Sequence, residues 1–210
     1  MRILFFGDSI TDTHRVRELD FCPHALGNGF VNRIAGNLLY ENPEKYQIIN
    51  RGIGGNRIVD LYSRIKCDCW ALNPDVISIL IGVNDVWHEI NDGNGVEIDR
   101  FEKVYRMIIE DTQKALPNVK LILCEPFVLQ GSATTPNWDK FVAVFDYAKV
   151  VKNLAKEYGL FFLPLQKQIQ EYNDKHEEGI TLYDGVHPNT AGARIIADSW
   201  IKLFKEEVDK

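Results

Sequence analysis

The stretch Val76-Ile77-Ser78-Ile79-Leu80-Ile81 constrains the fold more than any other part of the chain. It is almost continuously apolar, which suits a central strand of a parallel sheet covered on both faces rather than a strand with one wet side. Four further runs have strand character: Ile3-Leu4 with the residues that follow, Tyr46 to Asn50, Val119 to Cys124, and Leu160 to Leu163. Between them the apolar residues change to helical spacing. Phe30, Ile34, Leu38 and Leu39 form one such set, and Ile58, Leu61, Tyr62 and Ile65 a second. Phe101, Val104, Tyr105, Ile108 and Ile109 form a third, and Phe141, Val144, Phe145, Ala148 and Val151 a fourth. A last helix starts near Asn189, after Pro188, and buries Ile196, Trp200 and Leu203. Strands alternating with helices in this way make a parallel sheet flanked by helices the economical architecture, with residues 1–210 as one domain.

The local signals place Asn56 as the N-cap of the second helix and make Asp99 with Glu102 a capping box for the third. His14 to Gly29 and Val86 to Ile98 are polar, glycine-containing stretches that read as loops. With 45% hydrophobic and 26% charged residues, the 210-residue chain can build a full core. A formal net charge of -6 argues against nucleic acid or an anionic membrane as partner, since both reward a basic face. No charged-then-apolar leader precedes Ile3 and no run approaches the length of a bilayer span, so a soluble, unexported, cytoplasmic protein is expected. Cys22, Cys67, Cys69 and Cys124 lack the paired spacing of a zinc site and read as free thiols, Cys124 buried and inert.

Chemistry concentrates where the strands empty. Ligands of open α/β sheets collect outside the carboxyl ends of the strands. Ser9 follows strand 1 there, the glycine turn Gly52 to Gly55 follows strand 2, and Asn84 follows strand 3. Asp184-Gly185-Val186-His187 precedes the last helix. A serine hydroxyl becomes a useful nucleophile when a histidine removes its proton, and the histidine needs an acceptor on its other nitrogen. Asp184 and His187, three apart in a tight turn, are of the right types for both roles. The Ser9 N–H, a glycine N–H and the Asn84 amide are suitable donors for an oxyanion. Each piece also has a plainer account: Asp8 and Ser9 as a helix cap, Asn84 as a loop fastener, the glycines as a turn.

At these residues the chain resembles the GDSL-type esterases, or SGNH hydrolases. The blocks that carry the resemblance are Gly7-Asp8-Ser9-Ile10-Thr11, Asn50-Arg51-Gly52-Ile53-Gly54-Gly55-Asn56, Gly82-Val83-Asn84-Asp85 and Asp184-Gly185-Val186-His187-Pro188. The resemblance implies a flavodoxin-like three-layer α/β/α sandwich with a five-stranded parallel sheet. By position it makes Ser9 the nucleophile, His187 the general base and Asp184 its orienter, with Ser9 N–H, Gly55 N–H and the Asn84 side chain as oxyanion hole. Gly55 is preferred to Gly54 because the family glycine usually stands directly before the residue aligned with Asn56. The chain looks most like intracellular acetylesterases that deacetylate xylo-oligosaccharides, through Gly7 to Asp12, Ile81 to Trp87, Pro126-Phe127 and Val186-His187-Pro188. That likeness implies no metal or cofactor, small acyl groups, an acetylated sugar as the small-molecule partner, and often a homo-oligomer.

Trp87, three residues past Asn84, is expected beside the acyl pocket, where a large ring would limit the acyl chain to a few carbons. Phe127, Trp138 and Tyr183 stand on or near strand-end loops and are candidates for stacking on sugar faces. Arg15 and Arg17 are read as solvated. Three other functions stay open on sequence: an esterase of short-chain lipids or small metabolites, a metal-dependent phosphoesterase using Asp8, Asp12, Asn84, Asp85 and His187, and a carbohydrate-binding protein that has kept the fold.

Overall fold

The computed structural model describes residues 1–18, 22–176 and 179–210. Five strands, β1 (Arg2–Gly7), β2 (Gln47–Gly52), β3 (Val76–Leu80), β4 (Lys120–Cys124) and β5 (Phe161–Leu163), form one sheet in the order β2-β1-β3-β4-β5. Every pairing is parallel, with Phe5 opposite both Asn50 and Ser78, and Ser78 opposite Ile122. The helices are α1 (Ser9–Asp12), α2 (Phe30–Glu41), α3 (Ile58–Asp68), α4 (Val83–Asp92), α5 (Ile98–Ala115), α6 (Trp138–Phe141), α7 (Val144–Glu157), α8 (Gln166–Asn173) and α9 (Thr190–Leu203). The expected α/β sandwich is what forms. All five residues of β3 are buried, as its apolar run requires of a strand covered on both faces.

Strand order reverses between β1 and β3, so the crossovers lie on opposite faces if all are right-handed. α2 packs on α9 over one face, and α3, α5 and α7 pack in series over the other. The Phe5 ring marks the first face, touching Phe30 of α2 edge-on and Trp200 of α9 at 5.1 Å. Phe6 marks the second, under the Arg64 guanidinium of α3 at 4.4 Å. The reversal leaves a crevice beyond the ends of β1 and β3, the place where open sheets of this kind bind ligands.

Several local expectations change in tertiary context. Asn56 does not cap α3. Its carbonyl accepts from Asn84 Nδ2 and its side chain from Arg64 Nε, while the N-cap is Arg57. The orphan N–H groups are taken by Asp60, bonded to Arg57 N, and by Asp85 Oδ1, which reaches across from α4 to Ile58 N at 3.0 Å. α5 begins at Ile98 behind Glu97 with no side-chain cap, so Asp99 lies within its first turn and favours the helix by charge alone, and Glu102 is bonded to Arg106. Much of 86–98 is helical, because α4 starts directly at the end of β3 and runs to Asp92. The polar stretch 14–29 includes a short 3-10 helix at Pro23–Leu26, and its residues 19–21 lie outside the described ones. Leu203 is only half-buried, and Phe204, one residue on, fills the core. Among the described residues the four cysteines are unpaired, Cys69 and Cys124 buried and Cys67 exposed, and no helix is long and apolar enough to cross a membrane.

The Asp85 cap has a thermodynamic signature. Burial pushes its carboxyl up to about 8, against the help of the Ile58 N–H bond, and Oδ2 has no partner. A folded-state value above the unfolded one means that stability is fullest below about pH 4 and is lost as pH rises toward about 8. Asp85→Asn keeps an acceptor for Ile58 N without that cost. The thermal midpoint of the variant relative to the parent should therefore climb between pH 4 and 8 and level off above. A difference independent of pH would contradict this account.

Candidate active site

The site is assembled from four turns. Behind β1, Asp8 is the N-cap of α1: its Oδ1 accepts from Ile10 N at 2.9 Å and its carbonyl from Asp12 N. Asp8 therefore does the capping and leaves the Ser9 hydroxyl free for other work. Ser9 Oγ lies 2.8 Å from His187 Nε2, across 178 positions of sequence. His187 Nδ1 lies 2.7 Å from Asp184 Oδ2.

The 184–187 turn is tied by its own hydrogen bonds. Asp184 Oδ1 accepts the N–H groups of Val186 and His187, and Asn189 caps α9 by accepting from Ala191 and Gly192. Burial resists ionisation of Asp184, yet the bonds from the His187 ring and from these two N–H groups outweigh it and hold its pKa low. The hydrogen bond to Asp184 in turn raises that of His187, with burial opposing. A carboxylate can only accept, so Nδ1 carries the proton and Nε2 offers its lone pair to the Ser9 hydroxyl.

The glycine turn follows β2. Asp12 Oδ2, three residues after Ser9, accepts from Gly54 N at 3.0 Å, and Oδ1 accepts from Arg15 N. Gly54 N–H is thereby committed, whereas Gly55 N–H meets no acceptor among the described residues. Gly55 also stands at φ +81°, a region that L side chains rarely adopt. Gly52 has a different reason to be glycine: a Cβ there would overlap the Asp12 backbone. Arg64 ties the two strand ends together, donating to Gly7 O and Arg51 O. The buried Asn84, from the start of α4, donates one amide hydrogen to Asn56 O in the same turn.

Two rings flank His187. Tyr183 stacks on it at 5.7 Å and is 61% exposed, and Trp87 lies at 5.8 Å with its other contact edge-on to Phe141. Phe127, expected to stack on a sugar, is instead 1% exposed, belongs to the core and does not line the cleft. Trp138 packs on Phe145. Ser9, Gly54, Tyr183 and His187 open on a cleft of about 880 Å³ that Arg15, Arg17 and Arg33 also line. Arg15 is not solvated as its charge suggests; it is 8% exposed and donates to Gly52 O. Among the described residues no group of three His, Cys, Asp or Glu side chains could hold a metal ion, so the Asp8, Asp12, Asn84, Asp85 and His187 set does not assemble as ligands.

The sequence profile of the GDSL-like lipase/acylhydrolase family matches residues 5–195. The chain is a member of that family. It is a carboxylic ester hydrolase on the same grounds. An acetylxylan esterase of Geobacillus stearothermophilus is 34% identical over an alignment 208 residues long that covers 96% of this chain and 92% of that one. A crystal structure of that organism's acetylxylan esterase Axe2 superposes with a TM-score of 0.84 at 32% identity, covering 96% of this chain and 93% of the other. A protein of Parabacteroides merdae provisionally described as a GDSL-like lipase gives 0.90 at 34% identity, covering 97% and 95%.

Asp12, Arg64 and Asp85 escaped the sequence reading as parts of the site's frame. Asp12 lies in the same block as Ser9, but only the closeness of β2 reveals whom its carboxylate serves. Gly52→Ala should force β2 and α1 apart and destabilise the protein by roughly 1–3 kcal/mol, the usual cost of overpacking. A denaturant midpoint unchanged from the parent would refute that packing argument.

Proposed function

We propose that this esterase removes acetyl groups from a carbohydrate such as a xylo-oligosaccharide, through a Ser9–His187–Asp184 triad and an acyl-enzyme. The observation that carries the reading is the contact between Ser9 Oγ and His187 Nε2, with Asp184 on the far nitrogen. In the proposed sequence Ser9 Oγ attacks the ester carbonyl while its proton passes to Nε2. His187 then returns that proton to the departing sugar hydroxyl. A water, deprotonated by the same nitrogen, attacks the acetyl-serine, and acetate leaves as Ser9 recovers its proton. Negative charge on the carbonyl oxygen would be met by the N–H groups of Ser9 and Gly55 and by the Asn84 amide. The uncommitted Gly55 N–H favours that glycine over Gly54 as the donor.

The acetyl and sugar halves of the proposal draw support from different quarters. The Geobacillus relatives are named as acetylxylan and acetyl-xylooligosaccharide esterases. The Trp87 ring stands beside that of His187, where it would limit an acyl chain to a few carbons, and the exposed Tyr183 face suits the apolar C–H surface of a sugar. The expected residence in the cytoplasm belongs to this proposal too.

Three measurements test it. Ser9→Ala should abolish turnover, and Asn84→Ala should lower kcat on the order of 10²–10³ in a protein that still folds; near-normal turnover by either removes that assignment. The kcat/KM profile should lose activity on the acid side with a midpoint above the ordinary histidine value of about 6.5, because Asp184 raises the His187 pKa and the base works only when neutral. Asp184→Asn should move that limb to lower pH as well as slow the reaction. Among 4-nitrophenyl esters, acetate should be preferred, and a preference for octanoate would contradict the role given to Trp87.

A further inference from the structure

The cleft holds far more than an acetyl group needs, and one wall of it is cationic. Among the described residues, Arg15, Arg17 and Arg33 line it together with two carboxylates, Asp12 and Glu18. Asp12 is spent: it accepts from Gly54 N and Arg15 N, and its Oδ2 holds Arg17 Nη2 at 2.5 Å. Glu18 stands exposed.

Two guanidinium nitrogens here are buried without a partner among the described residues, Nη1 of Arg15 and Nε of Arg33. A buried donor of this kind costs free energy unless something accepts from it, and a charged one costs more. Arg15 is over nine-tenths buried, and burial together with the nearby Arg51 and Arg17 charges presses its pKa down. The same wall contains the start of α2. Gly29 gives that helix no side-chain cap and its first turn carries no acidic residue, so its positive end is uncompensated beside Asn28, Gly29 and Arg33 of the cleft lining. Unpaired guanidinium donors and an open helix N-terminus converge on one requirement, an anion supplied from outside.

We propose that the wall formed by Arg15, Arg33 and the N-terminus of α2 binds a carboxylate on the alcohol half of the ester, making the preferred substrate an acetylated oligosaccharide with a uronosyl group. The proposal rests on the sugar-acetylesterase reading for its substrate, but not for its binding site. The planar guanidinium fork matches a carboxylate two bonds at a time, which gives orientation as well as affinity. Orientation would carry the acetyl group to Ser9 while the acidic sugar is held in the cleft.

The test compares two matched acetylated xylo-oligosaccharides, one neutral and one with a uronosyl branch, by acetate release. The acidic substrate should show at least about a tenfold higher kcat/KM at low salt. That ratio should fall toward one in 1 M NaCl, where screening shortens the reach of charge to about 3 Å. It should collapse likewise in Arg33→Met and recover in part in Arg33→Lys. Equal kcat/KM for the two substrates in the parent protein, or a ratio untouched by Arg33→Met, overturns the proposal. Calorimetry with Ser9→Ala reads the binding site without turnover. Binding of the deacetylated uronosyl oligosaccharide but not of its neutral counterpart supports the site even if sugar acetates prove to be poor substrates. Inorganic phosphate binding as tightly as the uronosyl oligosaccharide would overturn the carboxylate assignment.

Discussion

The docking of α9 across the sheet is what the site depends on. Trp200 is fully buried, stacked on Phe204 and against Phe5 of β1, and its indole N–H donates to Ser78 Oγ of β3 at 3.0 Å. Burying a ring of this size removes roughly 150–250 Å² from water, about 4–6 kcal/mol at ~25 cal/mol/Å². The single hydrogen bond adds direction to that adhesion: it fixes the helix over the two strands from whose ends Ser9 and Asn84 project. Because α9 is capped by Asn189, two residues after His187, placing the helix places the imidazole. A contact across 178 positions is thus held by a tryptophan that takes no part in chemistry.

Charge around the site is handled by burial as much as by pairing. Asp184 is stabilised as a carboxylate by three hydrogen bonds, whereas Asp8, with one unpartnered oxygen, is pushed up to about 7 by burial. Two carboxyl groups near one imidazole therefore have different tasks. In the proposed reaction Asp184 balances the transient imidazolium, while Asp8 shapes the turn behind Ser9 with its charge largely suppressed below neutrality. The proposed oxyanion side is organised in the same indirect way. Asp12 takes one glycine N–H and leaves the next unoccupied, and Asn84 spends one amide hydrogen on the turn and keeps the other available.

The elements that the sequence misplaced share a cause. Asn56 has the right chemistry for a cap, but Asn84 and Arg64 compete for it, and the Asp85 carboxylate, 27 positions beyond the Ile58 N–H it accepts from, takes its place. The stretch after Asn84 looks too polar for a helix because α4 fully buries only its first residues, Val83 to Val86, with Trp87 and Ile90 packed on the core but partly exposed. Phe127 sits on a strand-end loop, as a binding residue would, yet its ring is buried and joins the core. In each case the local pattern was a fair description of the segment and an incomplete one of its surroundings.

Sequence alone determined the alternation that makes a parallel sheet, the burial of β3 on both faces, the start of the last helix near Asn189 and the four turns that carry the polar residues, since each of these is written in periodicity or in neighbours a few positions apart. Tertiary structure decided that Gly54 is occupied and Gly55 is not, that Asp85 rather than Asn56 caps α3, and that Arg15 and Arg33 hold unpaired donors in the wall of a cleft. Those properties depend on which partner is within hydrogen-bonding reach after the sheet has closed, and burial is set by the whole packed chain rather than by any segment of it.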